Sequence, residues 1–129
     1  MAVTGPIVLL VEDEVEMRRA LRPSLRAHGY QVVEAGTGRE ALAQAAGRHP
    51  VVILLDLVMP NMDGWQFIEA RSRDARLARI PVVLISGQLA AEETARSLGL
   101  ASYIEKPIAV ASLREMLSKM RDRSPSART

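Results

Sequence analysis

The chain has 129 residues, a net charge of +2, 48% hydrophobic residues and no cysteine. That is enough for one domain around one apolar core, and it excludes a disulfide framework, a thiolate nucleophile and Cys-ligated zinc. The charge is too small to imply nucleic acid by itself. No apolar run reaches the ~18–20 residues of a membrane helix, and Met1–Gly5 does not read as an export signal. The absence of cysteine fits a reducing cytoplasm, which is the expected location.

In chain order, Ile7–Val11 is an apolar strand that runs into three acids, Glu12, Asp13 and Glu14. Residues 14–28 have helical spacing of Val15, Leu21 and Leu25, with Pro23 inside; a proline there predicts a kink or a helix in two pieces. Gln31–Glu34 reads as the second strand, and 38–48 as a helix carrying Ala41, Leu42 and Ala45. Val51–Leu55 is apolar at every position, as a strand buried on both faces should be. A helix over 65–74 carries Trp65, Phe67 and Ile68, and Pro81–Ile85 is the fourth strand. A helix over 90–98 carries Ala91, Ala95 and Leu98, and Ser102–Ile104 is the fifth strand. The last helix, 109–121, carries Leu113, Met116, Leu117 and Met120. Gly29, Gly47, Gly64 and Gly99 mark helix ends or starts. The polar stretch RDRSPSART closes the chain, so the reading is a domain over 1–121 and a disordered tail or linker stub over 122–129.

Strands alternating with helices predict an α/β protein, a doubly wound (βα)5 parallel sheet covered on both faces with right-handed crossovers. In such sheets sites form outside the carboxyl ends of the strands. There the sequence delivers Glu12 and Asp13, then Asp56, then Ser86 and Gly87, then Glu105, Lys106 and Pro107. Each group has a plainer reading: helix cap, turn residue, loop. Their joint placement at one edge is what points to a site. Glu34 also ends a strand and is assigned no role; Glu14 is read as an acid of the first helical turn.

Three carboxylates at close range do not all stay ionised without a cation. An all-oxygen donor set favours a hard ion, Mg²⁺ or Ca²⁺. A carboxylate beside Mg²⁺, a lysine and a hydroxyl is an arrangement for phosphoryl transfer. Neither GxxxxGK[ST] nor GxGxxG occurs, so no nucleotide cradle is predicted.

With those residues identified, the chain resembles the response-regulator receiver domain of two-component signalling over residues 7 to 121. IVLLVEDE (Ile7–Glu14), DLVMPNMDGW (Asp56–Trp65), IPVVLISG (Ile80–Gly87) and YIEKPI (Tyr103–Ile108) match its four motifs in order. The resemblance implies a flavodoxin-like sheet in the order 2-1-3-4-5. It implies phosphorylation of Asp56, and Mg²⁺ held by Asp13 directly, by Glu12 through water, by Asp56 and by the backbone carbonyl of Val58. Lys106 and Ser86 would bind the phosphoryl group, with Ser86 and Tyr103 as the switch pair and a cis bond before Pro107. Val58 and Gln88 stand at positions that tune hydrolysis of the acyl phosphate, with apolar Val58 expected to shield it from water. Ser86 departs from the commoner threonine; it keeps the hydroxyl and loses a methyl.

The implied partners are a histidine kinase or a histidine phosphotransfer protein and a downstream protein target, with no direct nucleic acid and no membrane. The protein would be a monomer or a phosphorylation-dependent dimer, a switch rather than an enzyme, with its output at the face of the fourth helix, fifth strand and fifth helix. Arg18, Arg22 and Arg26 share one face of the first helix, either as a solvated face or as a docking stripe for the donor. Three readings follow: a stand-alone single-domain response regulator, a receiver excised from a hybrid histidine kinase or longer regulator, and an aspartate-nucleophile phosphatase. The last needs D-x-D after the first strand, a spacing VEDEVE lacks.

Overall fold

The computed structural model describes residues 5–56, 64–87, 91–100, 102–106 and 108–123. Its strands are β1 (Ile7–Val11), β2 (Gln31–Ala35), β3 (Val52–Asp56), β4 (Val82–Ser86) and β5 (Ser102–Glu105). The helices are α1 (Val15–Ala27), α2 (Gly38–Arg48), α3 (Gly64–Ser72), α4 (Ala75–Ala78), α5 (Ala91–Ser97) and α6 (Val110–Arg123). All four strand pairings are parallel and the order is β2-β1-β3-β4-β5. The chain therefore winds outward from β1 in both directions, and the reversal falls between β1 and β3, the place where doubly wound sheets bind at the carboxyl edge.

The pleat divides the core in two. Successive strand residues point to opposite faces. Leu9, Val11, Ile53, Leu55, Val82 and Leu84 pack with α2, α3 and α4 and with Ala95 of α5. Val8, Leu10, Val52, Leu54, Val83, Ile85 and Ile104 pack with Leu21 and Leu25 of α1 and with Leu113 and Leu117 of α6. Strands buried on both faces need apolar side chains at every position, and β3 and β4 are buried throughout.

The helix α1 runs unbroken across Pro23, so of the two expectations, a kink or a helix in two pieces, the second does not occur. The proline removes one backbone donor, while Leu21 and Leu25 on either side of it anchor the helix to the sheet. The helix ends at Gly29, whose φ of 90° lets Tyr30 N–H reach back to the Leu25 carbonyl at 3.2 Å. Gly99 (φ 75°) ends α5 in the same way, with Leu100 N–H donating to Ala95 at 2.8 Å. Gly47 is different: it lies inside α2, and the left-handed residue that ends this helix is His49, at φ 52°.

The short helix α4 has no counterpart in the sequence reading. Asp74 caps it, accepting from Arg76 N–H at 2.9 Å, and Leu77 is its buried residue. Arg71 of α3 holds its far end by donating to the carbonyls of Ala78 and Ile80 at 3.0 and 2.7 Å. Because α4 intervenes, the fourth and fifth helices expected from the sequence are α5 and α6. The helix α6 runs to Arg123, two residues past the boundary read at 121, and residues 124–129 lie outside the described residues.

Candidate functional site

The same alternation that builds the core aims the polar residues. Glu12 follows Val8 and Leu10 in parity, Asp56 follows Val52 and Leu54, and Lys106 follows Ile104. Glu12 N–H donates to the Ala35 carbonyl at 3.0 Å, and Lys106 N–H to Ser86 at 2.8 Å. Both extend the parallel ladder one step beyond the strands and carry the alternation with them. Glu12, Asp56 and Lys106 therefore converge on the α1–α6 side.

Their geometry follows. Lys106 Nζ lies 3.3 Å from Asp56 Oδ2 and 3.4 Å from Glu12 Oε1. Carboxylate oxygens of Glu12, Asp13 and Asp56 lie within 4.8 Å of one another. Glu12 is fully buried and Asp56 is 7% exposed, while Asp13 is partly exposed. The two adjacent acids of the β1–α1 turn are thus unlike: one faces inward and one faces out.

Burial pushes the Glu12 carboxyl up to about 8, and its hydrogen bond and charge contact with Asp56 push the same way. Burial pulls the Lys106 ammonium down, but the Asp56 and Glu12 charges outweigh it and hold it above the ordinary lysine range. Three carboxyls against one ammonium leave excess negative charge, and without a cation a proton on Glu12 relieves it. Glu12 Oε1 faces Lys106 but accepts no hydrogen bond among the described residues. A buried carboxylate oxygen lacking a donor, in an all-oxygen cluster, fits a hard divalent cation and its waters.

Ser86 ends β4 buried, and by alternation it belongs with Val82 and Leu84 on the opposite face. Tyr103 is half-buried against that same face. It also lines a groove of about 370 Å³ between β5 and α6, with Glu105, Met116 and Lys119. Val58, Gln88 and Pro107 lie outside the described residues.

Three readings of the sequence change here. Glu14 occupies the N-cap position of α1 without a side-chain cap bond; its N–H donates to Glu12 Oε2 at 3.3 Å, and the first-turn acid is Glu16. Arg18 and Arg22 are neither a solvated face nor a free stripe, since both turn onto Glu34 of β2. Glu34, given no role from sequence, is their anchor. Spacing along a helix tells which residues share a face, and only the neighbouring strand tells what they meet.

Residues 8–118 match the family described as the response regulator receiver domain. The KDP operon transcriptional regulatory protein KdpE of Escherichia coli is 38% identical over 113 residues, covering 85% of this chain and 48% of that protein. Protein PilH of Pseudomonas aeruginosa is 31% identical over 103 residues, covering 78% of this chain and 85% of that protein. The chain spans about half the length of the first curated relatives it matches. Among solved structures, the chemotaxis response regulator CheY4 of Vibrio cholerae aligns with a TM-score of 0.82 at 28% identity, over 91% of this chain and 99% of that one. The receiver domain of the sensor histidine kinase PA1611 from Pseudomonas aeruginosa, solved with a magnesium ion coordinated in its active site cleft, aligns at 0.83 and 25% identity, over 91% and 98%. No described helix is long and apolar enough to cross a membrane.

Proposed function

This chain belongs to the response regulator receiver domains of two-component signalling, and from that premise we propose that it takes a phosphoryl group from a phosphohistidine onto Asp56. The donor is a histidine kinase or a histidine phosphotransfer protein. The observation that carries the reading is the Lys106 ammonium, 3.3 Å from Asp56 and 3.4 Å from Glu12. A nucleophilic carboxylate sits there beside a fixed positive charge and an acidic cluster.

In the proposed transfer an Asp56 carboxylate oxygen bonds to phosphorus while the bond from phosphorus to the donor imidazole nitrogen breaks. The electron pair stays on that nitrogen. Lys106 neutralises charge on the transferring group, and Ser86 donates a hydrogen bond to it. Glu12, Asp13, Asp56 and the Val58 carbonyl would hold Mg²⁺, which when bound offsets the carboxylates and the phosphoryl oxygens. Water later cleaves the acyl phosphate and ends the signal.

Ser86 leaves its resting position to meet the phosphoryl group, and Tyr103 fills the space it vacates. That biases a two-state equilibrium at the face of α5, β5 and α6, where a downstream protein or a second copy docks. The similarity to PilH over 85% of that protein favours a stand-alone regulator; the similarity to KdpE over 48% favours a receiver within a longer one. The length of the natural open reading frame separates them.

The central test is intact mass after incubation with Mg²⁺ and acetyl phosphate. One labile phosphoryl group on the wild type and none on Asp56→Asn is the expected result. None on either protein rejects the reading.

A further inference from the structure

Arg18 lies on α1, behind the acidic turn rather than in it. Its Nη1 donates to the Glu12 carbonyl at 2.6 Å. Its Nε lies 3.4 Å from Glu34 Oε1. Arg22 grips the same carboxylate, with Nε and Nη2 each donating at 2.8 Å. Gly36 makes the room: a Cβ there would lie 2.9 Å from Arg18 Nη1. The guanidinium is thus fitted between the end of β2 and the β1–α1 turn, with its side chain 19% exposed.

The peptide joining Glu12 to Asp13 carries the carbonyl that Arg18 holds. On the other side of Glu12, its N–H is held by the Ala35 carbonyl at 3.0 Å. The peptides on either side of Glu12 are thus each held by one hydrogen bond, which restrains the turn from which the Glu12 and Asp13 side chains leave. A planar guanidinium suits this task because its fork meets a carbonyl and a carboxylate together, which a lysine ammonium on its flexible stem does not.

We propose that Arg18, oriented by Glu34, is a positioning residue that makes the acidic cluster selective for Mg²⁺ over Ca²⁺. The inference rests on the cluster binding a divalent cation, as the proposed function requires. Mg²⁺ demands near-octahedral geometry at about 2.0–2.1 Å, whereas Ca²⁺ accepts irregular shells at about 2.3–2.6 Å. A turn that rocks by a few tenths of an ångström therefore harms Mg²⁺ binding more than Ca²⁺ binding. Groups that orient metal ligands from outside the coordination shell typically change affinity about 10–100-fold when removed.

The experiment measures Mg²⁺ and Ca²⁺ dissociation constants calorimetrically for the wild type, Arg18→Met, Glu34→Gln and Leu25→Val. The last variant loosens packing in the same helix without touching the turn, so it reports general destabilisation. Arg18→Met should weaken Mg²⁺ at least ~10-fold and Ca²⁺ less than ~3-fold. Glu34→Gln, which keeps nearly the same shape, should lower the Mg²⁺/Ca²⁺ preference in the same direction, and Leu25→Val should leave it unchanged. If Arg18→Met and Glu34→Gln keep the wild-type preference, or Leu25→Val lowers it equally, the inference is overturned and the proposed function stands. If the wild type binds neither ion, the metal reading and this inference fall together.

Discussion

Lys106 N–H donates to the Ser86 carbonyl at 2.8 Å, one step beyond the last paired residues of β4 and β5. That backbone bond is what brings the Lys106 side chain over the Asp56 carboxylate. The side chains of the two hydrogen-bonded residues leave on opposite faces of the sheet, so one joint serves both the acidic cluster and the Ser86–Tyr103 pair. Lys106→Met should therefore remove the positive charge while leaving the fold in place. Its rate of phosphorylation by acetyl phosphate should fall by about 10²-fold, the usual effect of deleting one preorganised donor. A rate within a factor of three of wild type would show that the ammonium takes no part.

Divalent-ion binding should release a proton. The Glu12 carboxyl is pushed up to about 8 by burial and by Asp56, so near neutral pH a cation must displace its proton. Affinity should rise by up to about tenfold per pH unit below 8 and level off above it. Calorimetry in two buffers of different ionisation enthalpy reads the release directly. Buffer-independent heats at pH 6.5 would contradict it, and Glu12→Gln should abolish the release.

Stability without metal should have the opposite slope. The folded-state pKa of Glu12 lies above its ordinary 4.5, so the protonated carboxyl favours the fold fully below pH 4.5. That contribution is lost as pH rises through about 8. The slope from this one group is at most ~1.4 kcal/mol per pH unit. Urea unfolding in EDTA between pH 5 and 8 should show wild type losing stability relative to Glu12→Gln. Parallel curves would mean that Glu12 ionises as freely in the folded state as in the unfolded one.

Pro23→Ala should stabilise the protein. Pro23 is exposed on a helix that continues on both sides of it, so alanine restores the missing N–H without disturbing the core. An interior proline costs about 3 kcal/mol, and the stiffness it gives the unfolded chain returns up to ~1. The net gain should be roughly 2–3 kcal/mol in urea midpoint experiments with an unchanged m-value.

His49→Gly should also stabilise, by up to ~1 kcal/mol. His49 is exposed at φ 52°, a conformation that costs a residue with a Cβ about 1–2 kcal/mol. Glycine removes that cost and gives back part of it through the entropy of the unfolded chain. Thermal unfolding of the two proteins decides the sign.

How far these features could be read from sequence depends on what each residue meets. The five strands were legible to within a residue because a strand covered on both faces must be apolar throughout. For the same reason the polar residues at the carboxyl ends of four of them stood out: Glu12, Asp56, Ser86 and Lys106. The helix α4 was not legible, since four residues with one buried leucine carry no periodicity; the Asp74 cap is the signal that marks it. The end of α2 at residue 48 was legible, but the residue that turns the chain there was not: Gly47 was read as the punctuation while His49 takes the left-handed conformation, because glycine is the usual left-handed residue and histidine an uncommon one. The inequality of Glu12 and Asp13 was invisible, as adjacent acids look alike until the turn buries one. Glu34 looked idle because its partners lie 12 and 16 positions earlier on α1.

The two faces of the sheet hold chemically different halves of one device. Glu12, Asp56 and Lys106 share the α1–α6 side, while Ser86 and Tyr103 share the side of α2, α3 and α5. Between them stands a dry wall one strand thick, with no polar group along the buried lengths of β3 and β4 until Asp56 and Ser86. Such a wall offers no polar side chain through which a hydrogen-bond chain could pass, so the two halves meet only at its rim. Shifting β4 by one residue would turn Ser86 to the charged side and leave Tyr103 facing apolar wall. Chain length within the strands is therefore under tighter constraint than side-chain identity, and a one-residue insertion in β4 would part Ser86 from Tyr103 and so break the second half of the device.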